Sequence, residues 1–161
     1  MSILDDETLK EVGRYVIEFT TLDELITALA AAVLECAEWD IGKHLTGHLT
    51  VGRKLDGIQK VCHILAKAHG LLDTRLLKTL LGKIALAREI IDKRNAVIHG
   101  ELTIKHGKRP TVRSKTATVE LGPNDLSVLV QQINRATDGL VAAYYDFMDA
   151  VYQARAAGKQ H

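Results

Sequence analysis

The sequence predicts an all-α fold, an antiparallel four-helix bundle with a β-hairpin or long loop between the third and fourth helices. Two observations predict it. Apolar residues recur at steps of three and four along four separate stretches, the spacing of helices that each bury one face. That period fails in a single block, residues 101–121, where apolar and polar residues alternate instead. A chain of 161 residues with 47% hydrophobic content can bury one core, so a single domain over residues 1–161 is expected.

Leu9, Val12, Val16, Phe19, Leu22, Ile26, Leu29, Val33 and Cys36 mark the first helix, expected from about residue 6 to 37. Thr21 with Glu24 three residues on has the form of a capping box, so this helix either continues or restarts there. Trp39 to Thr50, holding Gly42 and Gly47, reads as a connector with at most a short helix. Val51 to Ala68 forms the second helix, with Leu55, Ile58, Cys62 and Leu65 on one face, and ends at His69-Gly70, where glycine suits a left-handed cap. Asp73 or Thr74 caps the third helix, which runs to about Ile98 and is stopped by Gly100. Leu102-Thr103-Ile104 and Thr116 to Leu121 then alternate like two strands, with Lys105 to Lys115 as their polar tip. Gly122-Pro123-Asn124-Asp125 returns the chain to helix. Leu126, Leu129, Val130, Ile133, Leu140, Val141, Tyr144, Phe147, Met148 and Val151 line this fourth helix, and the tail 156–161 is expected to fray.

No apolar run reaches the roughly 20 residues that a membrane-spanning helix requires. The opening Asp5-Asp6-Glu7 is acidic, the opposite of a basic secretory leader, so a cytoplasmic chain with no membrane partner is expected. Cys36 and Cys62 stand far apart inside apolar helical patterns and read as buried reduced thiols rather than a disulfide or a metal pair. The formal net charge is only +1, but it is unevenly spread. Residues 1–40 hold ten acids against Lys10 and Arg14, whereas residues 93–115 hold seven cations against Glu101 alone. One part of the fold should therefore attract anions.

The sharpest clue is a violation of pattern. The seam of the third helix steps through Leu77, Leu80, Ile84, Ala87 and Ile91 to position 94 and then Ile98, and position 94 is arginine. A guanidinium on such a seam is costly unless something anionic meets it. Three partners are open: a carboxylate of this chain such as Asp146 or Asp149, water reached by snorkelling, or an anionic ligand such as a phosphate, which arginine grips with a planar fork. His99 lies five residues on, about 140° around a regular helix, whereas Asn95 and His99 at i and i+4 share a face. Convergence of Arg94 and His99 therefore calls for unwinding near Gly100 or for a second copy of the helix across a two-fold axis, which makes a homodimer an expectation. Histidine changes charge near neutral pH, which suits a general acid or base.

Arg94-Asn95-Ala96-Val97-Ile98-His99 resembles the R-x4-H signature of the HEPN superfamily, in which a polar residue commonly follows the arginine. The order of long helices around it is similar too, over roughly residues 11–151, although distinctive residues occur only at 94–99. The resemblance implies a HEPN-like bundle and a homodimeric, metal-independent endoribonuclease without cofactor, a toxin or anti-phage defence component acting in the dimer cleft. It implies that His99 promotes attack of a ribose 2′-hydroxyl on the adjacent phosphate, that Arg94 holds that phosphate, and that Asn95 orients the histidine or the substrate. RNA, a second copy of the chain, and an antitoxin or nucleotidyltransferase are the partners it implies. One branch of the family carries a modified tyrosine two places after the histidine; Glu101 stands there instead, which weighs against that mode of neutralisation. Many members are catalytically silent, so a non-catalytic homodimeric binding or scaffold module is the alternative. A nucleotide-sensing regulator is a third reading.

Lys105, Lys108, Arg109, Arg113 and Lys115 at the tip are candidate RNA-backbone contacts, or an ordinary solvated hairpin end. No aromatic interleaves them, so stacking on bases is not expected from this tip. His44 and His48 have a metal-like spacing, but no carboxylate pattern completes a site and Gly47 weakens any helix beneath them, so no metal is expected. Phosphate-loop, nucleophile-elbow and dinucleotide signatures are absent.

Overall fold

The computed structural model describes residues 4–33, 47–104 and 109–158. Cys36, the expected last turn of the first helix, Trp39, His44, Lys105 and Lys108 lie outside the described residues. The fold is all-α, a bundle with four helices among the described residues and a small antiparallel sheet between the third and the fourth.

Helix α1 spans Asp6–Val33. Asp5 caps it, its Oδ1 accepting from the Thr8 backbone N–H at 2.7 Å, and that bond holds the Asp5 carboxyl below its ordinary pKa. The helix passes Thr21 without a break. Thr20 and Thr27 direct their hydroxyls back to the carbonyls of Val16 and Asp23, the local bond a mid-helix threonine makes when it is not a cap. Helix α2, Val51–Ala68, starts at the Thr50 cap. It ends with the Leu71 N–H on the Ala66 carbonyl at 2.7 Å around Gly70, whose φ of 70° a side chain would strain. Helix α3, Arg75–His99, is capped by Thr74 rather than Asp73, the Thr74 hydroxyl accepting from Leu77 N–H and donating to the Leu71 carbonyl.

Among the described residues the block after α3 holds three strands, not two. β1 (Glu101–Thr103), β2 (Thr111–Arg113) and β3 (Thr118–Glu120) form an antiparallel meander in the order β1-β2-β3. Part of the expected polar tip is thus a strand, because Val112 buries inward opposite Val119 while Thr111 and Arg113 face away from that contact. Ser114 closes the β2–β3 turn, its hydroxyl accepting from the backbones of Thr116 and Ala117. Helix α4 follows as Pro123–Gly158, with proline in the first turn where its missing N–H is harmless. It continues through Ala156, Ala157 and Gly158, where fraying was expected; the last three residues lie outside the described ones.

Two compact units divide the chain, and α1, α3 and α4 each contribute to both. The first unit comprises residues 1–22 and 88–135. Its buried apolar side chains include Tyr15, Phe19, Leu22, Ile90, Ala96, Val112, Val119, Leu121, Leu126 and Ile133. The second comprises residues 23–87 and 136–161 and buries Ile26, Leu29, Leu55, Ile58, Cys62, Leu80, Ile84, Leu140, Phe147 and Val151 among others. Within it Lys54 is buried, its ammonium donating to Thr27 Oγ1 at 2.7 Å and to Asp23 Oδ1 at 3.1 Å. Burial also pushes the Cys62 thiol up to about 11, as expected of an unreactive core cysteine.

The first half of α1 departs from the expected seam. Leu9, Val16 and Ile17 are exposed, while Thr8 and Tyr15 are buried. No helix among the described residues is long and apolar enough to cross a membrane.

Gly100 marks the joint between α3 and the sheet. Its N–H closes on the Ala96 carbonyl at 2.8 Å, and a Cβ there would collide with the carbonyl oxygens of Ala96 and Arg113. Neither obstacle is a flexible side-chain end, so Gly100→Ala is expected to lower the unfolding free energy by about 1–3 kcal/mol. Urea denaturation followed by circular dichroism measures this; an unchanged midpoint would mean the close approach is relieved at no cost.

Candidate active site around Arg94

The last turns of α3 set the site. Ala96 is fully buried and anchors this end of the helix, which turns Arg94 and Asn95 to half-buried positions and leaves His99 exposed. The expected seam rotates here: Ile90 is buried rather than Ile91, and Ile98 is exposed. Arg94 lies over the Phe19 ring of α1, with Cζ 5.3 Å from the ring centroid. That arrangement gives the cation an apolar floor and a favourable quadrupole.

Arg94 and His99 meet within one chain. Arg94 Nη1 stands 3.4 Å from His99 Nε2 and donates to Asn95 Oδ1 at 3.2 Å. The α3 helix does not unwind to allow this and runs through His99. The wheel angle between the two Cα positions is bridged by the length of the arginine side chain, so a second copy is not needed to bring these groups together. A guanidinium can only donate, so the contact uses an unprotonated Nε2 and places the proton of neutral His99 on Nδ1. Among the described residues no carboxylate pairs with Arg94, which leaves both its guanidinium partners neutral.

Two groups on α1, one and two turns before the Phe19 floor of Arg94, were not singled out by sequence reasoning. Tyr15, one turn before Phe19 on α1, is 0% exposed, and its hydroxyl has no hydrogen-bond partner among the described residues. Burial raises the Tyr15 phenol well above its ordinary pKa, while the Arg94 guanidinium pulls it the other way. Glu11, a further turn back, carries a second buried oxygen without a hydrogen bond, Oε2, 4.0 Å from Arg14 Nη1. The signal was present in the spacing: Glu11, Tyr15 and Phe19 form an i, i+4, i+8 line.

The candidate RNA contacts divide. Arg109 is committed to Asp125, Nη1 to Oδ2 at 2.8 Å. Arg113 and Lys115 are exposed with no ion pair among the described residues, and Arg113 sits opposite Glu101 in the sheet, two residues past His99. Lys93 pairs with Glu89 at 2.7 Å and reaches Gln132 at 3.3 Å. Among the described residues no group of three or more His, Cys, Asp or Glu is placed to hold a metal ion. No family model, no curated protein and no solved structure matches the chain.

The Arg94 contact predicts the tautomer of His99. At pH 8 the ring 15N shifts should report a proton on Nδ1, and Arg94→Ala should move the equilibrium toward the Nε2-protonated form that free histidine prefers. Identical spectra for parent and variant would show that the 3.4 Å contact is not held in solution.

Proposed function

We propose that this chain is a HEPN-like, metal-independent endoribonuclease whose reaction is carried by Arg94, Asn95 and His99. The observation that carries the proposal is a half-buried guanidinium with no carboxylate partner among the described residues, in contact with an imidazole nitrogen and a side-chain amide on the same helix end. Such a cation is ready for an anion. When a phosphodiester takes the donors of Arg94, His99 Nε2 is released from its contact and becomes available as a base.

In the proposed reaction His99 Nε2 accepts the proton of a ribose 2′-hydroxyl as O2′ bonds to the adjacent phosphorus. The bond from phosphorus to the 5′-oxygen breaks, that oxygen takes a proton from water, the hydroxide left behind takes the proton held on His99, and the products are a 2′,3′-cyclic phosphate and a 5′-hydroxyl end. Arg94 stabilises the charge that grows on the non-bridging oxygens, where a fixed donor lowers the barrier most. Asn95, already bonded to Arg94, orients the fork. Arg113 and Lys115 supply exposed positive charge for flanking phosphates, as Lys105 and Lys108 do in the sequence-based reading. A role as toxin or anti-phage component, a homodimer, and an antitoxin or nucleotidyltransferase partner belong to the same proposal. A second reading is favoured by one observation: Arg94, Asn95 and His99 satisfy one another in the chain, as they would in a non-catalytic homodimeric scaffold that uses them to hold the helix end.

Purified chain incubated with single-stranded RNA separates the two. The nuclease reading expects cyclic-phosphate ends, a loss of at least about 100-fold for His99→Ala and for Arg94→Ala, and full activity in EDTA. Equal RNA loss for parent and His99→Ala, or none for either, leaves the scaffold reading.

A further inference from the structure

A buried hydroxyl without a partner is uncommon in a native fold, since leaving it unmade costs about 1–3 kcal/mol. Tyr15 carries one, fully enclosed, on the helix whose next turn supplies the aromatic floor under Arg94. The position is also out of keeping with the rest of α1: the apolar side chains of Leu9, Val16 and Ile17 face outward while this phenol is turned in. Phenylalanine would fill the same space with no orphaned oxygen. What tyrosine adds is one strong O–H donor one helical turn from the ring that underlies a guanidinium, which itself offers only donors. Two such groups share one natural complement, an oxygen anion.

We propose that the Tyr15 hydroxyl is the second donor of an anion subsite headed by Arg94, and that the oxygen it binds belongs to an RNA phosphate. Arg94 supplies the charge and Tyr15 a neutral hydrogen bond from the α1 side, so the anion is held between two helices rather than on one flexible side chain. The guanidinium covers this floor in its contact with His99; as it turns to the phosphate, the hydroxyl gains its acceptor. Tyr15 is a binding residue of this subsite and moves no proton. The assignment rests on the nuclease reading for the source of the phosphate, but not for the subsite itself.

The test uses the full chain and the variants Tyr15→Phe, Arg94→Ala and the double variant, with two probes: inorganic phosphate, and a 2′-deoxy oligonucleotide that offers phosphodiesters but no 2′-hydroxyl to react. Tyr15→Phe is expected to weaken both by about tenfold, the loss of one hydrogen bond to a charged group, with a thermal midpoint equal to or above the parent's. In the Arg94→Ala background the same change should have no further effect, because the two donors share one anion. Unaltered affinity in Tyr15→Phe overturns the assignment and leaves the nuclease reading intact. A midpoint lowered by several degrees also overturns it, since the hydroxyl would then be satisfied by the fold. Tenfold weaker binding in a chain that cuts no RNA supports the subsite and removes only the nuclease. No binding of either probe by the parent removes both.

Discussion

The structure around the sheet depends on one constraint, a permanent positive charge held half out of water against a phenyl ring, with only neutral partners among the described residues. The Arg94–Phe19 stack contributes about 0.5–2 kcal/mol, depending on how dry it is. It does not neutralise the charge. Full burial of an unpaired guanidinium would cost several kcal/mol, so the fold keeps Arg94 partly exposed and sets beside it groups that tolerate a cation: an amide oxygen, an imidazole nitrogen and a phenyl face. The first half of α1 also departs from the usual rule that a helix turns its apolar side inward. Places where a sequence breaks its own local rules are where function is to be sought.

The scaffold that presents the charge is held by packing rather than by its ion pairs. Arg109–Asp125 and Lys93–Glu89 each have one exposed and one half-buried partner, and surface pairs of that kind contribute at most about 1 kcal/mol each. Among the described residues of the meander Val112 and Val119 are buried, Leu121 just after it is buried too, and Leu126 begins the buried face of α4. The Thr116 hydroxyl, donating to Asp92 on α3 at 3.1 Å, ties the β2–β3 turn to the helix that carries the site. The meander is thus fastened to α3 at its start, where Gly100 admits the β2 backbone, and again at Asp92.

Much of this was legible in the residues. The bounds of α2, its stop at Gly70, the stop of α3 at Gly100 and the buried face of the second half of α1 all follow from spacing and glycine punctuation. The first half of α1 was misread because Leu9 and Val16 fit a helical stripe as well as Tyr15 does, and a single sequence does not say which stripe is inward when the buried one is polar. β2 escaped notice because three residues flanked by Arg109, Pro110 and Ser114 show no alternation long enough to recognise. The contact between Arg94 and His99 was judged out of reach from the angle between Cα positions. A side chain with four rotatable bonds makes that angle a poor guide, whereas for short groups such as Asn95 it serves well.

The ammonium of Lys54 has a consequence far from the site. A seam of hydrocarbon side chains can slide by a turn and still be greasy, so leucine and isoleucine alone leave the alignment of α2 against α1 weakly determined. Lys54 finds both its oxygens, on Asp23 and Thr27, one turn apart on α1 and at a single setting of the two helices. Every shifted alignment would strand the charge in the interior. The lysine thus acts as a key in a lock: it adds little to how tightly the helices hold, and it selects the one way they fit.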